Sequence, residues 1–206
     1  MRSGKKRYEV IVFDLGNTLI RFDHRISAAK FANLFRLDSK KAYDIFFDSE
    51  ITRLFESGLI SPKEFHERAA RLLSAKLPYK DFVDIWNDIF WEDHAMCELA
   101  MELRGRYKLF LLSNINRLHF EYIRRKFDII NIFDELILSF AIGAIKPDSV
   151  IYEDVVRRAG GRREALLYID DREDLVVEAT RLGIDSIRFE GDVSRLRSLL
   201  KARGVL

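Results

Sequence analysis

Short apolar runs and longer stretches of helical periodicity alternate along this chain. Tyr8-Glu9-Val10-Ile11-Val12-Phe13 is β-branched and aromatic, and it stops at the polar turn Asp14-Leu15-Gly16-Asn17-Thr18. It reads as a buried strand running into a loop. Similar runs cover Tyr107 to Leu112, ending at Ser113-Asn114, Leu136-Ile137-Leu138, Ala165 to Ile169, ending at Asp170-Asp171, and Ser186 to Phe189. Helical patterns fall between or after them, at Leu118 to Lys126, Val150 to Arg158, Leu175 to Leu182 and Val193 to Arg203. Strands alternating with helices predict an α/β fold, a parallel sheet with helices on both faces.

One interval breaks the alternation. From Asp23 to Phe90 there is helical periodicity and no convincing strand: Phe31, Leu34 and Phe35 share a face, as do Ile51, Leu54 and Phe55. Ser61-Pro62-Lys63-Glu64 is a helix start, with Ser61 as cap, Pro62 at the first helical position and Glu64 closing a capping box. Phe65, Ala69, Leu72 and Leu73 continue its apolar stripe until Pro78. Such a block between the first two strands of a sheet reads as an insertion.

Composition narrows the function classes. The 206 residues suffice for one core and an inserted subdomain, and sixteen Phe suggest helix faces packed with large side chains. Thirty-five basic and 33 acidic residues leave a formal charge of +2, which excludes a strong field toward nucleic acid or membrane. Lys5, Lys6 and Arg7 read as a solvated arm. The single Cys97 has no intrachain disulfide partner, and no run reaches the ~20 apolar residues that span a bilayer. The expectation is a soluble, cytoplasmic protein; the sequence leaves its oligomeric state open.

The chemistry gathers at strand ends, where open parallel sheets bind ligands. Asp14 ends the first strand, a place for a nucleophile, a metal ligand or a helix cap. The backbone N–H groups of Asn17 and Thr18 can cradle phosphate oxygens. Ser113-Asn114 offers a small hydroxyl and an N–H at the second strand end, equally suited to capping a helix. Pro147 stiffens the turn after Lys146, holding an ammonium where it can neutralise a nucleophile and a phosphoryl group. Asp170 and Asp171 are adjacent carboxylates ending an apolar strand, costly unless a cation pairs with them; oxygen ligands favour Mg²⁺, and Asp174 can add an outer contact. A nucleophile, a hydroxyl clamp, a lysine and a metal pair are the parts that phosphoryl transfer needs.

These motifs resemble those of the haloacid-dehalogenase (HAD) superfamily over nearly the full chain. Phe13-Asp14-Leu15-Gly16-Asn17-Thr18-Leu19, Leu112-Ser113-Asn114, Lys146-Pro147-Asp148 and Ile169-Asp170-Asp171 look like its motifs one to four. The resemblance implies a Rossmann-like, doubly wound core from residues 1–22 and 91–206, with residues 23–90 as a C1-type helical cap. It implies Asp14 as nucleophile and metal ligand, and the Gly16 carbonyl, Asp170 and Asp171 in the Mg²⁺ shell. Ser113 and Lys146 would bind the substrate phosphate, Lys146 also counting as catalytic, beside the Asn17, Thr18 and Asn114 donors read from the strand ends. The expected activity is hydrolysis of a small phosphorylated metabolite, a sugar phosphate in particular, through an aspartyl-phosphate.

Gly16 departs from the pattern. Phosphatases of the superfamily usually carry an acid–base Asp two residues after the nucleophile, a function worth ~10²–10⁴-fold. Similar Asp-Leu-Gly-Asn starts occur in a branch resembling glucose-1-phosphate phosphatases. Asp23 is a candidate substitute, with capping of the following helix as its other role. A 2-haloacid dehalogenase is the alternative enzyme, although its branch usually carries neutral polar residues where Asp170 and Asp171 stand. A catalytically weak protein that binds a ligand or a partner is the third reading. His24 and Arg25 read as exposed linker residues, Asn116, Arg117 and His119 as helix surface, and Trp86, Phe90 and Trp91 as cap or hinge packing.

Overall fold

The computed structural model describes residues 8–47, 49–73 and 76–206. The basic cluster Lys5, Lys6 and Arg7 lies outside them. In chain order the elements are β1 (Val10–Phe13), β2 (Ile20–Phe22), α1 (His24–Phe35), α2 (Ser39–Phe47), α3 (Glu50–Glu56), α4 (Pro62–Leu72), α5 (Tyr79–Asn87) and β3 (Phe90–Glu92). Then come α6 (His94–Leu103), β4 (Lys108–Ser113), α7 (Arg117–Lys126), β5 (Glu135–Leu138), α8 (Ser139–Ile142) and α9 (Ser149–Arg158). The chain closes with β6 (Leu166–Asp170), α10 (Glu173–Arg181), β7 (Asp185–Arg188) and α11 (Val193–Ala202).

All five expected core strands form, in one parallel sheet of order β5-β4-β1-β6-β7. β1 is central, and the path runs outward through β4 and β5 before returning to β6 and β7, which makes the ends of β1 and its neighbours a topological switch point. The period-two rule explains the two cores. Ile11, Phe13, Leu109, Leu111, Leu167 and Ile169 face one side, with α6 and α11, and Val10, Val12, Phe110, Leu112, Leu166 and Tyr168 face the other, with α9. Near-continuous apolar strands are what burial on both faces requires.

The helical block α1–α5 has its own core, built on aromatic rings. Phe31 stacks on Phe46 at 4.1 Å, Phe55 on Phe65 at 4.4 Å, and Phe82 on Trp86 at 5.7 Å between centroids. This is where much of the unusual Phe content goes. The capping box at Ser61 forms with both hydrogen bonds. Leu118 of α7 joins this cluster and docks the block onto the α/β unit.

The two passages between block and sheet pair with each other. β2 and β3 form an antiparallel ribbon, Phe22 opposite Phe90, which the sequence pattern did not reveal. Three-residue strands are too short to show a period. Arg21 braces the ribbon with a 2.7 Å ion pair to Asp93. Trp86 is fully buried and Phe90 nearly so, as cap or hinge packing requires, but Trp91 is about half exposed (47%). No helix of the described residues is long and apolar enough to cross a membrane.

Candidate active site

Three strand ends and one loop converge on Lys146. Its Nζ donates to Asp14 Oδ1 (2.7 Å), Asp170 Oδ2 (2.6 Å), the Tyr168 hydroxyl (3.0 Å) and the Leu112 carbonyl (3.2 Å). Lys146 is 3% exposed, and an ammonium so buried is tolerable only with partners of this quality. Burial pulls its pKa down, but Asp14 and Asp170 outweigh burial and raise it. The amine is therefore a fixed cation at neutral pH.

The loop that presents Lys146 is locked to the end of β4. Asn114 Oδ1 accepts from the Lys146 N–H at 2.6 Å, and Asn114 Nδ2 donates to the Lys146 carbonyl at 2.9 Å. Both ends of that side-chain amide are thus engaged with the Lys146 backbone. Asp148 caps α9 through the Val150 N–H, which sets the exit of the same loop.

Asp14, Asp170 and Asp171 each present a carboxylate oxygen within 4.8 Å of the other two. Asp14 and Asp170 share the Lys146 ammonium, and Asp171 crowds a further carboxylate against that pair. Burial pushes the Asp14 carboxyl up to about 7, with Lys146 pulling against it. Asp171 is lifted to about 6 by burial and by Asp170. Burial also opposes ionisation of Asp170, but Lys146 overcomes it and the net shift is downward. An all-oxygen cluster of crowded carboxylates beside the switch point fits Mg²⁺, which takes one or two carboxylates with water and substrate oxygens completing its shell.

The turn after β1 divides the expected phosphate donors. Asn17 takes φ of +54°, a left-handed conformation that Asn tolerates, and its N–H is spent on the Ile20 carbonyl at 2.8 Å. That donor is therefore unavailable to a phosphate, contrary to the sequence expectation. Thr18 is fully buried and its hydroxyl has no hydrogen-bond partner among the described residues. Such an orphaned donor is what a ligand oxygen satisfies. Ser113 is also buried, its hydroxyl making only a 3.5 Å contact to the Asn114 carbonyl.

A cavity of about 60 Å³ adjoins these strand ends, lined by Gly16, Ser113, Asn114, His24, His119 and Glu56 among others. His24 and His119 are not the exposed linker and surface residues that the sequence suggested. Their rings stack at 6.3 Å, and His119 sits between Asn116 Nδ2 at 3.0 Å and the Trp86 carbonyl at 3.2 Å. Burial lowers both histidines, His24 to about 4, and keeps them neutral. Asn116 is buried as the cap of α7, while Arg117 is exposed as expected.

Two carboxylates expected near the site turn elsewhere. Asp23 caps α1 and grips the Arg25 guanidinium, its Oδ2 2.8 Å from Nη2, and that hydrogen bond lowers its pKa. A carboxylate so engaged is a poor substitute for the missing acid. Asp174 pairs with Arg172 at 2.6 Å instead of approaching the cluster. Tyr168 and Glu56 were not foreseen. Tyr168 lies two residues before Asp170 on β6, so strand alternation could have placed it on the same face. Glu56 comes from the helical block, and no local signal marks it.

A model of haloacid dehalogenase-like hydrolases matches residues 8–181. The chain belongs to this family. A D-ribitol-5-phosphate phosphatase of Bacteroides thetaiotaomicron is 24% identical, the match covering 87% of this chain and 91% of that one. A sesquiterpene phosphatase of Aspergillus oryzae is 21% identical over 96% of this chain and 97% of its own. The crystal structure of a HAD-family enzyme from B. thetaiotaomicron, in complex with magnesium and inorganic phosphate, superposes with a TM-score of 0.81. It is 25% identical and covers 90% of this chain and 96% of that one.

Proposed function

We propose that this HAD-like hydrolase is a Mg²⁺-dependent phosphomonoesterase acting on a small phosphorylated metabolite, with Asp14 as nucleophile. The observation that carries this reading is the group of three carboxylates around Lys146. Asp14 is held by the ammonium at 2.7 Å, and its carboxylate stands within 4.8 Å of those of Asp170 and Asp171. A fixed cation beside a nucleophilic carboxylate prepares it to meet a dianionic phosphate. That crowding gives Asp170 and Asp171 a reason to hold a divalent ion together with Asp14 and the Gly16 carbonyl. Bound there, Mg²⁺ would supply charge neutralisation for the nucleophile and the transferring phosphoryl group.

In the first half-reaction an Asp14 oxygen attacks phosphorus and the ester oxygen leaves. In the second, water attacks the aspartyl-phosphate and returns Asp14 as a carboxylate. Lys146 holds both charge states, and Asn114 holds Lys146 through its two backbone bonds. Residues 23–90 act as a cap, hinged on the β2–β3 ribbon, and the cavity beneath them receives the leaving group. A cavity of about 60 Å³, lined by polar groups from Ser113, Asn114 and His24 among apolar side chains, suits a compact leaving group, hence a small sugar or polyol phosphate. The ribitol-phosphate activity named for one relative supports that class. A dehalogenase needs no metal and gives the Asp170-Asp171 pair no divalent partner.

The test is phosphate release from sugar and polyol phosphates with Mg²⁺ and with EDTA. Release from at least one ester that EDTA abolishes is expected. No release from any ester, or chloride release from a 2-chloroacid in EDTA, would overturn the reading.

A further inference from the structure

The HAD core lacks a carboxylate at Gly16, yet an acidic residue of the helical block lines the same cavity. Glu56 is the last residue of α3, and it lines the cavity shared with Gly16, Ser113 and His119. It also lines a cleft of about 690 Å³ whose wall includes the exposed Glu50, Arg53 and Leu59. Of the residues lining either space, Glu56 alone lines both, so it stands between solvent and the strand ends.

Its backbone is fixed to the core rather than left to the cap. Ser139, the first residue of α8, donates its hydroxyl to the Glu56 carbonyl at 2.6 Å and accepts from the Ile115 N–H at 2.9 Å. One side chain thus ties the end of α3 to the segment just after Ser113-Asn114. Gly58 tightens the tie. At φ +69° it approaches so closely that an added Cβ would lie 2.1 Å from the Phe140 carbonyl oxygen. A side chain there would push α3 away from α8.

We propose that Glu56 is the general acid and base of the reaction, supplying from the helical block the carboxyl that Gly16 cannot. This rests on the phosphatase reading with Asp14 as nucleophile. As the P–O bond to the leaving group breaks, the carboxylic acid of Glu56 gives its proton to the departing oxygen. The resulting carboxylate then takes a proton from the water that attacks the aspartyl-phosphate, and the Asp14–P bond breaks. Phosphate leaves, Asp14 is a carboxylate again, and Glu56 is again protonated. Burial pushes the Glu56 carboxyl up to about 7, with Arg172 pulling the other way, so both forms are populated near neutrality. His119, lining the same cavity, has both ring nitrogens engaged, by Asn116 Nδ2 and the Trp86 carbonyl, and does not compete for the role.

The test uses p-nitrophenyl phosphate with Mg²⁺, comparing wild type, Glu56→Gln, Glu56→Asp and Asp14→Asn. The p-nitrophenolate leaving group needs no proton, so Glu56→Gln should still phosphorylate Asp14 and give a burst stoichiometric with enzyme. Its steady turnover should fall by about 10²–10⁴-fold, because water lacks its base. Glu56→Asp, keeping the carboxyl, should recover part of that loss. Turnover of Glu56→Gln within about threefold of wild type overturns the role of Glu56 while leaving Asp14 untouched. A burst surviving in Asp14→Asn overturns the nucleophile on which the proposal rests.

Discussion

A β-carbon built on Gly16 would stand 2.8 Å from Cε1 of Phe22, in the ribbon strand that leads to the helical block. The aromatic ring thus occupies space that the usual second Asp of the superfamily would need. The substitution Gly16→Asp should therefore lower stability by about 1–3 kcal/mol, the ordinary cost of overpacking. It should not raise activity unless combined with Phe22→Ala. Chemical denaturation and steady-state assays of the single and double variants check both statements.

Lys146 is the cation that makes the carboxylate cluster tolerable before any metal binds. Lys146→Met leaves Asp14 and Asp170 buried without their ammonium, a change worth about 3–5 kcal/mol when one partner of a buried pair is removed. A fall in the denaturant midpoint of that order is expected, together with loss of phosphatase activity. Stability equal to wild type would show that the ion pairs contribute nothing.

The metal reading makes a prediction independent of catalysis. A ligand that binds only the folded state at a hundred times its Kd adds about 2.7 kcal/mol, which raises the melting temperature of a domain this size by about 5–10 °C. Saturating Mg²⁺ should do this for wild type, and EDTA should reverse it. Asp171→Asn, which keeps the Asp170–Lys146 pair, should lose the rise. An equal rise in the variant would remove Asp171 from the metal shell.

The buried histidines should make the fold acid-sensitive. His24 is lowered from 6.5 to about 4, chiefly by burial, so the unfolded chain binds its proton more readily than the folded one. The contribution is present above pH 6.5 and is lost as pH falls toward 4, and it amounts to about 3 kcal/mol. His24→Phe, which retains a ring against Phe22 and His119, should flatten the stability profile in that window. A profile unchanged from wild type would contradict it.

Much of this was legible in the sequence, for physical reasons. A β1 strand apolar on both faces and a carboxylate at its end imply a buried parallel sheet with a site at the switch point, and Asp14, Lys146 and Asp170 do meet there. What stayed hidden depends on contacts between distant segments. Glu56 reaches the cavity through the docking of α3 on α8, and His119 is buried under rings from other segments, Trp86 stacked on it and Phe90 edge-on, each at 4.9 Å between centroids. Asn17 misled because the sequence shows a turn but not which carbonyl its N–H meets. Of the two roles open to Asp23 the structure shows the helix cap, and its ion pair with Arg25 depends on side-chain placement that the sequence does not display.

The central claim, that Asp14 becomes phosphorylated, is tested most directly by trapping the intermediate. Wild type is mixed with Mg²⁺ and p-nitrophenyl phosphate, quenched within a turnover, and the acyl phosphate located by mass spectrometry after peptide digestion. The adduct should lie on the peptide carrying Asp14 and be missing from Asp14→Asn, which should also release no phosphate. Phosphate release by Asp14→Asn at the wild-type rate, or an adduct on a different residue, would contradict the account.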